Sequence, residues 1–136
     1  MDNITIPVHL LIATLFSLGI LWYILANRKE FFQDSYRRWF WISAVVCFSI
    51  YGLIVGLAMF QDIYLHWNLN RYDLNKDGIF TGEEICEEQK NAMNRVIRDF
   101  GRNFAVITGL IFSAIISFPI FLIGIGIQKL KRNKHI

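Results

Sequence analysis

The chain has 136 residues, 54% of them hydrophobic, and a net charge of +3. That apolar share exceeds what an ordinary soluble domain carries and points to a membrane class, while the length excludes a separate large soluble module. Cys47 and Cys86 are too few and too far apart for a disulfide framework or a zinc cluster, and His9, His66 and His135 are too scattered for a histidine site.

A membrane-crossing helix needs about 20 mostly apolar residues. The first such run is Ile4 to Ala26. Met1-Asp2-Asn3 ahead of it lacks the positive charge of a secretory leader, and the run is too long for one, so it reads as a retained span. A basic connector, about residues 27–38, follows with Arg28, Lys29, Arg37 and Arg38. The second span, Trp39 to Phe60, opens on Trp39, Phe40 and Trp41, the composition of an interfacial aromatic belt. Cys47 lies mid-span, where packing is its expected part. Residues 1–60 thus form two spans, 61–100 a polar head on helical stalks, and 101–136 a third span, Phe104 to Ile127, with a basic tail. None of the three runs contains Asp, Glu, Lys or Arg, and none has the polar face of a soluble-bundle helix. The fold class is therefore all-α, three transmembrane helices with one helix-loop-helix joining the second and third.

Residues 73 to 84 read Asp-Leu-Asn-Lys-Asp-Gly-Ile-Phe-Thr-Gly-Glu-Glu and match D-x-[DN]-x-[DN]-G-x5-E at every specified position. Calcium takes about six to eight hard oxygen ligands, and a loop of about 12 residues wraps them around the ion. Asp73, Asn75 and Asp77 offer side-chain oxygens, Ile79 its backbone carbonyl, Thr81 a direct or water-mediated ligand, and Glu84 both carboxylate oxygens. Gly78 permits the sharp bend that a side chain resists. Three carboxylates and one amide suggest an affinity in the micromolar to millimolar range. The segment is similar to the EF-hand superfamily. That resemblance implies apolar residues one, four and eight positions before the loop, where Tyr72, Leu69 and Leu65 stand, and a short β contact at Phe80 with a paired hand. It covers about 30 residues and departs on the exit side, where Glu88 and Gln89 replace two of the apolar positions occupied at Ile85 and Ala92. The chain holds no second such loop, so a paired hand would come from another copy or another protein.

No Pro or Gly lies between Met59 and Tyr72, so the entering helix should continue directly from the second span. Glu83 to Phe100 is helical in composition, with Ile85, Ala92, Met93, Val96, Ile97, Phe100 and Phe104 recurring at helical spacing and Gly101 as the weak joint before the third span. Gly101, Ala105, Gly109, Ser113 and Ser117 fall four apart, as do Gly52 and Gly56. Such small-residue stripes let helices approach closely in lipid, within one chain or between copies. Pro119 should kink the end of the third span, with serines nearby to satisfy freed backbone groups. Arg95, Arg98 and Arg102 share one side of the exit helix and read as an interfacial anchor, with an anionic lipid contact as the sharper alternative. Cys86 would allow an intersubunit disulfide in an oxidising space.

The connector and the tail (Lys129, Lys131, Arg132, Lys134) hold eight basic residues against six in the loop between spans two and three: Arg71, Lys76, Lys90, Arg95, Arg98 and Arg102. The positive-inside rule then places connector and tail in the cytoplasm and the N-terminus and loop outside. Together these features point to a calcium-binding membrane protein that senses or regulates, its loop moving spans two and three. The alternatives are a calcium-regulated channel of several copies, its pore lined by hydroxyls such as Thr14, Ser17, Thr108, Ser113 and Ser117, and an interaction subunit with a structural calcium ion. The expected partners are the bilayer and a second copy or another membrane protein, with no nucleic acid. The remaining acids fit no nucleophile–base arrangement, so no enzyme is expected.

Overall fold

The computed structural model describes residues 6–98 and 100–133. The start of the first run at Ile4, and Lys134 of the tail, lie outside the described residues. Among those described, the regular elements are α1 (Val8–Ala26), α2 (Arg28–Phe31), α3 (Ser35–Asn70), a single 3-10 turn (Gly82–Glu84), α4 (Glu87–Arg98) and α5 (Phe100–Asn133), with no strand. Three helical runs, Val8–Ala26, Arg37–Asn70 and Glu87–Asn133, are long and apolar enough to cross a membrane. Pro7, which has no N–H to lose, precedes α1, and its carbonyl takes the first amides, from Leu10 and Leu11.

α3 is unbroken over 36 residues. At 1.5 Å per residue it is about 54 Å long, against about 30 Å of hydrocarbon. Its last turns, from Gln61 to Asn70, therefore stand beyond the apolar stretch as a rigid stalk, as the lack of any helix breaker there predicted.

α3 is the central helix, with α1 and α5 on its flanks. The inward residues of α1 (Leu10, Ser17 and Ile24) are seven apart and make a single seam. The Ser17 hydroxyl donates to the Phe48 carbonyl of α3 at 2.7 Å. Gly52 makes room for it, since a Cβ at that position would lie 2.8 Å from Ser17 Oγ, and Gly56 faces Thr14 of the same helix. The small residues of α5 form the other seam. Ala105, Gly109, Ser113 and Ser117 are all buried. Gly109 lies against Tyr51 and Ile54, the Ser43 hydroxyl donates to the Ser117 carbonyl at 2.7 Å, and Cys47 Sγ lies 3.6 Å from Ser113 Oγ. Further along, Gly124 sits flat on the Trp39 ring with no space for a Cβ. Leu10, Tyr51, Val55 and Ala105 form the core the three helices share.

The two small-residue sets therefore work within one chain but on different seams: Gly52 and Gly56 receive α1, and the α5 stripe receives α3. Gly101 departs from the stripe. It is exposed, and the inward position at that level belongs to Arg102. The aromatic group also does more than line an interface. Trp39 packs on Gly124, Phe40 meets Phe121 edge-on at 6.1 Å, and Trp41 stacks on Phe31 at 4.0 Å. Phe31 belongs to α2, a turn that the basic composition of the connector concealed. Pro119 lies inside α5, which continues past it to Asn133.

Overpacking a tight helix contact costs about 1–3 kcal/mol. Gly109→Leu and Gly52→Leu should each lower unfolding stability in detergent by that amount. Gly19→Ala and Gly126→Ala, where an added methyl meets nothing within 4 Å, should be neutral or slightly stabilising. Circular dichroism during denaturant titration measures all four.

Candidate functional site

α3 ends in a turn in which the Tyr72 and Asp73 amides donate to the Leu69 and Asn70 carbonyls, with Leu69 buried as its anchor. The chain then folds on itself through its own short polar side chains. Asp73 Oδ2 accepts from the Gly78 amide (2.9 Å), Asn75 Oδ1 from Asp77 (2.9 Å) and Asp77 Oδ1 from Ile79 (2.7 Å), while Asn75 Nδ2 donates to Asp77 Oδ2 (3.0 Å). The last two backbone bonds span two residues each, the reach that makes Asn and Asp turn formers. Lys76 (φ 61°) and Gly78 (φ 77°) adopt left-handed backbone between them. For Lys76 that conformation costs about 1–2 kcal/mol, and the surrounding bonds hold it in place.

Glu84 ties the far end of the loop to its beginning. Its Oε1 accepts from the amides of Leu74 (2.9 Å) and Asn75 (3.1 Å), and its Oε2 from Thr81 (3.1 Å). The Thr81 amide, with those of Asn75 and Leu74, holds the Glu84 carboxyl below the ordinary glutamate range, against burial and the Asp77 charge that push it up.

Asp73, Asn75, Asp77, Gly78 and Glu84 are thus joined in one backbone-knit turn, with Thr81 tied in through its amide. The turn does not gather its carboxylates. Among the described residues no three of His, Cys, Asp and Glu are grouped to hold a metal ion. Asp73, Asp77 and Glu84 are instead each held by backbone amides: Gly78 for Asp73, Ile79 for Asp77, and Leu74, Asn75 and Thr81 for Glu84. Carboxylates in contact repel, and here backbone amides stabilise Glu84 individually. One oxygen is left over: Asp73 Oδ1 is buried and has no hydrogen-bond partner among the described residues. A buried acceptor without a donor is costly, by about 1–3 kcal/mol. With only oxygen donors in the turn, the complement that suits this atom is a hard, oxygen-preferring cation.

The exit side differs from the sequence expectation. Gly82 is also left-handed (φ 56°), the Gly82–Glu84 turn is 3-10, and α4 starts at Glu87 rather than Glu83. Cys86 Sγ accepts the Gln89 amide at 3.4 Å, so the thiol caps this helix. Glu87 and Glu88 at its start and Arg95 and Arg98 at its end complement the helix dipole. Its inward residues are Gln89 and Ala92, whereas Ile85 before it and Ile97 on it are exposed. The apolar recurrence through this segment therefore marks its buried face only in part.

The three arginines separate. Arg95 and Arg98 are exposed and, with Asn91 and Asn94, line a shallow concavity. Arg102 is 6% exposed, donates from Nη2 to the Val96 carbonyl at 2.8 Å and places Nε 3.6 Å from Asp62 Oδ1. It does not share the exposure of Arg95 and Arg98. Asp62, which sequence reasoning passed over, is buried on the α3 stalk, with His66 Nδ1 3.4 Å from its Oδ2. The signal was available: an acid one helical step past the apolar run, with an ionisable partner four residues on.

Comparison with family models, with curated proteins and with solved structures gives no match for this chain.

Hydrogen bonds to a charged acceptor contribute about 1.5–3 kcal/mol. Glu84→Ala should therefore speed hydrogen exchange at the Leu74, Asn75 and Thr81 amides by roughly 10- to 100-fold, and Asp73→Ala should do so at Gly78. Because the folded Glu84 carboxyl is lowered, its contribution is complete above the ordinary value of about 4.3 and is lost as pH falls through the lowered value. Protection of the three amides should accordingly hold from neutral pH down to the ordinary glutamate value, decline below it and be lost as pH falls through the lowered one, as read by NMR exchange.

Proposed function

We propose that this is a calcium-binding membrane protein in which an EF-hand loop, residues 73–84, reads the ion and passes the response to its second and third spans. The observation that carries the reading is Asp73 Oδ1, a buried carboxylate oxygen at the first loop position with no donor among the described residues. The unbroken α3 on one side of the loop and α4 leading into α5 on the other give the response a route. Asp73, Asn75, Asp77, the Ile79 carbonyl, Thr81 and Glu84 would hold the ion. Calcium would supply the positive charge that lets these oxygens converge. Glu84 would then exchange its amide partners for the site, changing how the loop joins α4.

A sensor is favoured over a channel by the hydroxyls. Thr14, Ser17, Thr108, Ser113 and Ser117 donate to the carbonyls of Leu10, Phe48, Phe104, Leu110 and Ala114 within the same chain. Ser17, Ser113 and Ser117 are moreover buried between helices of one chain, so three of the five hydroxyls a pore would draw on are enclosed within a single copy.

Calorimetric titration of the purified chain in nanodiscs should give a dissociation constant between micromolar and millimolar, lost in Asp73→Ala and kept in Arg95→Ala. A wild-type chain that takes up no calcium at 10 mM, about tenfold above the weak end of that range, overturns the proposal. Liposomes carrying the protein should remain tight to ions with and without calcium. A calcium-dependent flux would establish the channel reading in its place.

A further inference from the structure

Beyond the loop, one charged cluster joins the head to the spans. Arg102 lies on the first turn of α5. Helical side chains lean toward the N-terminus, so its guanidinium reaches back across the α4–α5 joint. There it donates to the Val96 carbonyl in the last turn of α4, at 2.8 Å. The same guanidinium faces Asp62 of α3, with Nε 3.6 Å from Oδ1. Both residues are buried, at 6% and 9% exposure, in a chain whose other arginines on this segment, Arg95 and Arg98, are exposed.

We infer that Arg102 and Asp62 form the clasp through which movement of α4 reaches the second and third spans. The inference rests on the reading of residues 73–84 as a calcium site. A buried charge separated from its partner is strongly unfavourable, so α3 and α5 stay together at this level as long as the pair is intact. The fork geometry of a guanidinium lets one group hold a carboxylate and a carbonyl at once, and that ties the position of the last α4 turn to the spacing of the two spans. A change in the angle of α4 then has two outcomes: it carries Arg102 and Asp62 with it, or it breaks the Val96 bond. His66, 3.4 Å from the other Asp62 oxygen, steadies the carboxylate from its own helix. Arg102 and Asp62 are positioning residues, both outside the segment 73–84 proposed to hold the ion.

The test uses the full chain in nanodiscs with Cys47 and Cys86 replaced by serine. Spin labels stand at Phe60→Cys and Phe104→Cys, exposed positions at the outer ends of the second and third spans. In this parent, calcium should shift the label distance by about 1–2 Å or more, the scale of helix movements in switching proteins. Arg102→Gln and Asp62→Asn should each bind calcium at parental affinity or tighter, because the loop no longer works against the spans, while the label distance stays fixed. Retained calcium binding shows that the head of each variant is folded. A second readout needs no clasp variant: the Arg102 guanidinium resonances of the parent should differ with and without calcium.

If the parent binds calcium and the shift persists undiminished in either variant, the clasp is overturned and the calcium site stands. Identical Arg102 resonances in the two states overturn it as well. A parent that binds no calcium overturns the calcium reading, and this inference with it.

Discussion

Where Gly109 meets Tyr51 and Ile54, nothing but hydrogen stands between the α5 backbone and α3. Lipid offers helices no hydrophobic gain for finding one another, since the tails are as apolar as leucine, so close approach and hydrogen bonding must hold the pair. The α3–α5 seam supplies both along its length. Gly124 rests on the Trp39 ring, Ser43 bonds the Ser117 carbonyl, and Arg102 faces Asp62 at the end nearest the loop. The head depends on this contact because its two helices are continuations of the helices the contact joins. α1 is held by a separate seam through Ser17 and Gly52, and it meets the α3–α5 contact where Leu10 joins Tyr51, Val55 and Ala105.

The polar groups are distributed by depth. Within the apolar stretch, the hydroxyls of Thr14, Ser17, Ser43, Thr108, Ser113 and Ser117 donate to carbonyls. These bonds are worth about 0.6 kcal/mol each in such a setting, a modest gain. Buried charge appears first at Asp62 and Arg102, where the apolar runs end. Above that level the loop uses charge differently, with Asp73 Oδ2, Asn75 Oδ1, Asp77 Oδ1 and both Glu84 oxygens accepting from backbone N–H groups and Asp77 Oδ2 from the Asn75 side chain. Asp73 Oδ1 stands out against this economy because everything around it is matched.

The helical architecture was legible in the sequence, because spans without a single charge and a stalk without a breaker leave few alternatives. The loop residues were legible as a set too, since their spacing encodes a turn that the Asx bonds indeed make. What was hidden was direction. Spacing of four identified the stripe on α5, but Gly101 and Arg102 are adjacent, and only packing against α3 decides which of them turns inward. Gly52 and Gly56 likewise gave no sign that they face α1. Composition made Glu83 to Phe100 helical throughout, whereas the left-handed Gly82 and the thiol of Cys86 postpone the helix to Glu87. Arg102 looked like its exposed neighbours because a guanidinium that caps a helix end from the following helix leaves no local pattern.

The matched pairs across the α3–α5 seam share a property that bears on how the loop can vary. Ser43 with Ser117, Ile54 with Gly109 and Asp62 with Arg102 are all centred between Phe80 and Gly82. The segment is thus the turn of a long antiparallel helical hairpin, and its residue count sets the register of everything below it. One residue inserted between Asn70 and Glu87 leaves the side-chain types of the loop untouched, yet if the added length is not absorbed as slack it rotates α5 by about 100° and turns the small-residue stripe away from α3. Loop length is held as tightly as loop chemistry, and by contacts tens of ångströms away from it.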